Sequence, residues 1–515
     1  MRRAFTNGTV LTMVPGASPT TALVIDGDRV VAAGGPEIVP PDADVVDVAG
    51  ATITPGFIDA HNHLSIAALH PVWNDVHGVT DVEVLLDAIR AQAAAEPDTA
   101  WVRCQGIDVT TIGLPVTRDD LDAAGIDRPV IVADYTLHQC VVNSVGLEAL
   151  GIGRTTVDPA GGEIRRRADG SATGLLIERA WSVAHAVSMR DYADPDRWAE
   201  HIAARARVLL ASGLTCIHDA ACPPDAEAVY RAMARDRELP ISVLAMPHPS
   251  ALLTNDHRAR LDGPPTGDGD EWCRVGAIKL FADGGVAIAV DASIQGNPVR
   301  FGMRFGDLEE HARAAVDHGF RIAIHAMGNI GVDAMLGTCD AIARAFPDRD
   351  HRFRIEHAGV TGPDQWTRLA EMDAVAVVQP GFVEHVGTNV GDYGFDHHHW
   401  LAFAGLAEAG VTLAGSSDDP CAPVPPLWCM TRGVERRTSG GRDFEPDQSV
   451  PFDDWLVAYT RGAAYAGGQE HERGMLAPGL RADLVVLDRT GDAARVRETW
   501  VAGERVFAAA PTLPA

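Results

Sequence analysis

Residues 54–64 read TPGFIDAHNHL. After a Pro-Gly turn signal, the apolar pair Phe57 and Ile58 runs into Asp59, His61 and His63. Side chains on an extended strand alternate with a period of two, so these three polar residues are expected on one side. A strand that starts apolar and ends in such residues suits the mouth of a barrel, where two histidines two apart can chelate one ion. Standing alone, an H-x-H is as often a pair of surface histidines.

The same pattern recurs along the chain. The apolar runs GLTCIHDA (213–220), PISVLAM (240–246), VGAIKLFADGG (275–285), FRIAIHAMG (320–328), FRIEHAGV (353–360), AVAVVQPG (374–381) and VTLAGSSDDP (411–420) are separated by helical patterns. Together with residues 55–63 they make eight strand-helix units, which read as an α/β protein with a (β/α)8 TIM-like barrel. The active site of such a barrel lies at the C-terminal ends of its strands.

The gap from residue 64 to 212 is too long for a barrel connection. It is expected to be an inserted lid or substrate subdomain, with strand-like PVIVADYTLHQCVVNS and a helix from about Asp194 to Ser212. Short strands with Asn-Gly and Asp-Gly turns fill residues 1–54, and ADLVVLD and RVRETWVAGERVF have the same character near the C-terminus. Neither end holds enough strands alone, so residues 1–54 plus 475–515 are expected to form one small β-sandwich domain beside the barrel of 55–474.

A chain of 515 residues exceeds the usual single core, in keeping with more than one domain. Its formal net charge of -28 argues against nucleic acid and anionic membrane as partners. No apolar run is long enough to span a bilayer and no apolar leader opens the sequence, so a cytoplasmic protein is expected. The eight cysteines show no C-x-x-C spacing and read mostly as buried small residues.

Of 43 lysines and arginines only Lys279 is a lysine, which leaves 42 arginines. A guanidinium stays protonated, whereas a desolvated lysine amine can become neutral and react. It can form a Schiff base with a carbonyl, act as a base, or take up carbon dioxide as a carbamate. The other strand ends narrow the choice, for they carry His325, His357 and Asp418. The adjacent Asp419 is expected to cap a helix, with Pro420 in its first turn. Each histidine alone would read as a structural residue, but their recurrence at strand ends in chain order points to a metal site. Four neutral histidines and one aspartate carry too little negative charge for two divalent ions. A carbamate on Lys279 would supply it, and arginine cannot form one.

These residues and motifs resemble the metal-dependent amidohydrolase superfamily, within it the amidohydrolase 3 or YtcJ-like group, and the chain also resembles N-substituted formamide deformylases. The resemblance is carried by TPGFIDAHNHL, GLTCIHDAA, VGAIKLFADGG, IHAMGNIGVDAML, RIEHAG, LAGSSDDP and GMLAPGLRADLVVLD, with LHQCVVNSVGLEALGI and GSATGLLIERA inside the insertion. It implies that His61 and His63 bind one metal, that His325 and His357 bind the other, and that N6-carboxylated Lys279 bridges them. Asp418 would contact the first metal and the catalytic water. The ions would be two zinc, with iron, manganese or cobalt able to use the same ligands. Two departures from the group stand out, FDHHHWLAFAGL before the eighth strand and Asn329 where an aspartate is usual.

The expected reaction is hydrolysis of an N-acyl or N-formyl amide, or a related non-peptide carbon-nitrogen bond, of a small molecule by metal-activated hydroxide. Asp418 would move the proton, and His138, Glu178 and Gln379 are the expected substrate contacts. A deaminase or cyclic-amide hydrolase would share every metal residue, and a non-catalytic metal-binding regulator is the remaining alternative. A Schiff-base aldolase would not need the histidines. The group's habit suggests a homodimer.

Overall fold

The structure, a computed structural model, describes residues 2–109, 116–248, 260–390 and 394–510. Each of the eight apolar runs contains a strand: β1 Phe57–Asn62, β2 Leu214–Cys222, β3 Ser242–Pro247, β4 Ile278–Phe281, β5 Ile322–Ala326, β6 Arg354–His357, β7 Val375–Val378 and β8 Thr412–Gly415. They are Val-, Ile- and Ala-rich and mostly buried on both faces, as strands of a covered parallel sheet must be.

The strands lie in two parallel arcs. One runs β1, β2, β3 and then the short strand Cys273–Val275; the other runs β4, β5, β6, β7 and β8 in order. Backbone hydrogen bonds join the arcs at both seams. Gly276 N donates to Ala245 O of β3, and Asp418 N, just past β8, donates to His61 O of β1, each at 2.7 to 2.8 Å. Parallel register sets Phe281 beside His325 and Ala326 beside His357, so chemically active residues line up along one rim.

Between β1 and β2 the chain builds a six-stranded sheet in the order 162–166, 172–178, 139–142, 130–134, 102–107 and 74–75. Its strands pack in cores of their own, and helix α1, Arg179–Met189, closes one of them through Ala180, Trp181 and Ala184. Helix α2, Pro195–Ala211, fills the predicted helical stretch, with Asp194 accepting from Arg197 N as its cap. Sequence reading assigned α2 to the insertion. Its stripe of Trp198, Ile202, Ala206 and Leu209 instead packs into the core shared with the parallel strands, since an i, i+4 apolar face must be covered.

The two chain ends do pair. Residues 9–10 and 52–55 share a sheet with 484–490, 493–501 and 504–508, and Thr52–Pro55 runs antiparallel to Leu484–Leu487. A second sheet of residues 2–6, 22–26, 29–34 and 44–47 contributes to the same core, where Phe5 meets Trp500 edge to face. All eight cysteines are unpaired, and only Cys421 is less than buried. Among the described residues no helix is long and apolar enough to cross a membrane.

Candidate active site

The C-terminal ends of the parallel strands and the inner wall of the insertion enclose a cavity of about 940 Å³. His61, His63, Lys279, His325, His357 and Asp418 all reach it. Neighbouring rings stand close, His61 to His63 at 5.2 Å between centroids, His61 to His357 at 4.8 Å and His357 to His325 at 4.6 Å. Ligating atoms of His61, His357 and Asp418 fall within 4.8 Å of one another.

Each imidazole is aimed from behind. His61 Nδ1 donates to Glu356 Oε2 at 2.5 Å, His63 Nδ1 to Ala220 O at 2.7 Å, and His357 Nδ1 to Gln379 Oε1 at 2.9 Å. An acceptor at Nδ1 fixes each ring's orientation, so its Nε2 points inward and offers a lone pair when the ring is neutral. Burial, aided by Lys279, holds His61 well below the ordinary imidazole value, and burial does the same for His325 and His357.

Asp418 Oδ1 lies 3.0 Å from His63 Nε2 and 3.4 Å from His61 Nε2, yet it makes no hydrogen bond, and His325 Nε2 is likewise buried and unpartnered. Acceptors crowded together with no proton between them repel, and a cation among them removes the repulsion. The donor set therefore fits divalent metal, with the second-layer hydrogen bonds such sites use. Burial raises the Asp418 carboxyl, but His61, His63 and Lys279 outweigh it and hold it below the usual range. Asp418 and His357 have left-handed backbone, with φ of +65° and +77°, a strained conformation for such residues.

Lys279 is buried on β4, with Nζ 3.2 Å from His61 Nε2. Burial lowers its amine to about 8, against the opposing pull of Glu356 and Asp418. An amine so placed has a substantial neutral fraction at physiological pH, the form that reacts with carbon dioxide.

The other expected residues divide. His138 and Glu178 line the cavity, and His138 Nδ1 sits 2.7 Å from Glu178 Oε2. Glu178 Oε1 also accepts the backbone N–H groups of Val286 and Ala287, tying the insertion to the loop after β4. The glycines of FADGG make this approach feasible. A Cβ on Gly284 would lie 2.4 Å from Glu178 Oε1, and one on Gly285 would lie 2.3 Å from His138 Cδ2.

Gln379 is a correction. It does not line the cavity but sits behind His357, with Nε2 donating to Ser416 Oγ, because a fully buried amide must spend both ends on protein partners. Asp419 is another: no helix starts there, the next begins at Pro426, and its buried carboxylate pairs with Arg205 of α2 at 2.5 Å. Asp59 also turns to structure, bonded to Ser417 and Asn62. Asn329 accepts from Asp291 N and donates to Asp291 O, and His398 of the histidine run stands 3.3 Å from its amide.

Sequence reasoning missed Glu356, Arg354 and Asp283. Arg354 Nε donates to Glu356 Oε1 at 2.9 Å, which steadies the acceptor of His61. Asp283 accepts from Met327, Gly328 and Ala289 N–H groups and stands 3.9 Å from His325 Nε2. The signal was present in FRIEHAG, where two opposite charges alternate inside an apolar strand.

A family model described as the amidohydrolase family matches residues 44–507. The chain belongs to the amidohydrolase family. It is 32% identical to the N-substituted formamide deformylase of Arthrobacter pascens, over 94% of this chain and 92% of that relative. It is 28% identical to the putative amidohydrolase YtcJ of Bacillus subtilis, over 95% and 94%. A solved structure described as an uncharacterized metal-dependent hydrolase from Pyrococcus horikoshii superposes with a TM-score of 0.75 at 23% identity, covering 96% of this chain and 99% of that one. The fold is thus α/β of the TIM-barrel type. This amidohydrolase is a metal-dependent hydrolase acting on carbon-nitrogen bonds other than peptide bonds.

Proposed function

We propose that this chain hydrolyses the formyl or a similarly small acyl group from a nitrogen bearing an apolar substituent, using two zinc ions held by His61, His63, His325, His357, Asp418 and carboxylated Lys279. The observation that carries the metal assignment is the set of inward Nε2 atoms facing a carboxylate oxygen with no proton between them. Likeness to the Arthrobacter pascens deformylase supports the bond, and the cavity wall supports the substituent. Phe281, Phe305, Trp181, Phe382, Leu137 and Trp400 line it, a surface suited to hydrocarbon or aromatic groups. In the domain reading that accompanies this function, residues 1–54 with 475–515 form a β-sandwich and 55–474 a closed (β/α)8 barrel. Within residues 64–212 the six-stranded sheet and α1 form the lid, while α2 belongs to the barrel core.

Divalent ions bound here would lower the pKa of water to about 7 and polarise the scissile carbonyl. Asp418, ionised and aimed at the cavity, takes the proton of the attacking water on a carboxylate oxygen and delivers it to the leaving nitrogen. His138, braced through Nδ1 by Glu178, presents its other edge to the substrate and orients it. The insertion keeps bulk water from the reacting groups.

The test pairs metal analysis by plasma mass spectrometry and native intact mass with assays on N-substituted formamides. Two metal equivalents, about 44 Da of added mass for the carbamate, and equal release of formate and amine are expected. Release of ammonia alone would refute the deformylase assignment. One equivalent with unmodified Lys279 would refute the bridged pair. Lys279→Arg keeps the charge but cannot form the carbamate, so it is expected to lose both metal and turnover.

A further inference from the structure

Behind the cavity wall lies a cation without a counter-ion. Arg103, on the inserted strand Val102–Ile107, is fully buried, and among the described residues no carboxylate pairs with it. Its guanidinium lies 4.1 Å over the Trp73 ring and 5.6 Å from that of Trp181. It donates to Ser188 Oγ at 2.7 Å, to Gln105 Oε1 at 3.2 Å, and to His185 Nδ1 at 3.1 Å. Trp181, His185 and Ser188 fall on one face of α1, so a single helix supplies one of the two rings and two of the three acceptors. Burying a guanidinium without a carboxylate carries a desolvation penalty, and a hydrocarbon would fill the same space without it.

The arrangement has one chemical consequence. Arginine has no acceptor and stays charged, so His185 Nδ1 must offer its lone pair and the ring proton must sit on Nε2. A second proton on Nδ1 would face the guanidinium directly, which keeps the ring neutral. His185 lines the cavity with its Nδ1 taken by Arg103, which leaves Nε2 as the nitrogen able to meet a ligand. The histidine from the other side of the insertion, His138, has a carboxylate rather than a guanidinium at its Nδ1, that of Glu178.

We infer that His185, fixed by Arg103 as an Nε2–H donor, is a specificity-determining residue that recognises a hydrogen-bond-accepting oxygen on the substrate's N-substituent. The inference rests on the deformylase reading, in which the formyl oxygen lies at the metal-ligand cluster and the N-substituent lies along the wall where His185 stands 4.7 Å from the Trp181 ring. The aromatic and aliphatic groups of the wall are interspersed with polar ones such as Tyr135, Ser182 and Asp307, but a donor that is buried and fixed in one tautomer discriminates against a compound that leaves it unpaired.

The probes are N-(2-methoxyethyl)formamide and its hydrocarbon isostere N-butylformamide, assayed with metal-loaded enzyme. Wild-type protein is expected to show a KM about tenfold lower for the methoxy compound, and His185→Phe to erase the difference. Equal KM values in the wild type would overturn the inference. So would a His185→Phe variant in which kcat falls equally for both compounds, because that places the group at the scissile carbonyl instead. Where His185→Phe fails to fold, His185→Gln keeps an N–H donor and Arg103→Met frees the tautomer; the first is expected to retain part of the preference and the second to lose it. A readout free of turnover comes from two-bond proton-nitrogen spectra of the imidazoles. His185 is expected as the Nε2–H tautomer in the wild type and as a mixture in Arg103→Met, and an Nδ1–H signal in the wild type would overturn the lock. If neither amide is cleaved while calorimetry still shows tighter binding of the methoxy compound, the deformylase reading falls and the donor stands.

Discussion

At the scale of single residues, the site depends on side chains that never touch the cavity. Gln379 has its amide oxygen on His357 and its amide nitrogen on Ser416. Gln379→Leu removes the acceptor that orients His357, so metal affinity is expected to fall about 10- to 100-fold, read by competition with a chelator. Michaelis constants at saturating metal should change little, since the residue does not line the pocket. Glu356 carries a heavier load, as acceptor for His61 and counter-ion for buried Arg354. Glu356→Gln leaves that guanidinium with neutral partners only, and a loss of about 3–5 kcal/mol in denaturant unfolding is expected. The sequence pointed to His357 but not to its support, because a strand-end histidine announces itself by position. Gln379 shows its role only once β6 and β7 lie side by side.

At the scale of elements, the loop after β4 is where barrel and insertion interlock. Glu178 Oε1 holds the N–H groups of Val286 and Ala287 while His138 packs against Gly285. Gly285→Ala would drive a methyl into the His138 ring, and Gly284→Ala one into the Glu178 carboxylate. Turnover is expected to fall at least about tenfold in each, with a melting temperature shift of only a few degrees, because the clash lies at the cavity rather than in the main core. A large fall in melting temperature at unchanged turnover would refute the interlock. A second joint lies between α2 and the end of β8. Arg205→Ala leaves the Asp419 carboxylate buried without its partner, next to Asp418. Expected is a loss of about 3 kcal/mol in stability together with a lower kcat, measured by urea titration and steady-state kinetics.

At the scale of the whole molecule, the crowded acceptors of the site are expected to make bound metal contribute to the fold's stability. Stripping metal with a chelator is expected to lower the melting temperature by several degrees while far-ultraviolet circular dichroism stays the same, and added zinc to restore it, since a ligand at about 100 times its Kd contributes about 2.7 kcal/mol. An unchanged melting curve would mean that the six residues do not bind metal in the folded chain. The eight strands, their order and the strand-end residues were legible in the sequence, because apolar runs bounded by polar ends follow directly from burial on both faces of a parallel sheet. The pairing of the chain ends was legible too, as neither end has enough strands to stand alone. The attachment of α2 to the main core was not, nor the use of Asp419 for Arg205 in place of a helix cap, nor Asp59 turned to Ser417. Those outcomes depend on which neighbour each side chain meets across a distance of hundreds of residues. Arg103 and His185 show the same limit: 82 positions apart, they carry no motif, and only their burial against one another makes one a fixed charge and the other a fixed donor. Local periodicity determines elements, whereas the register of strands and the docking of the insertion decide which polar groups must satisfy each other and which are left to face a ligand.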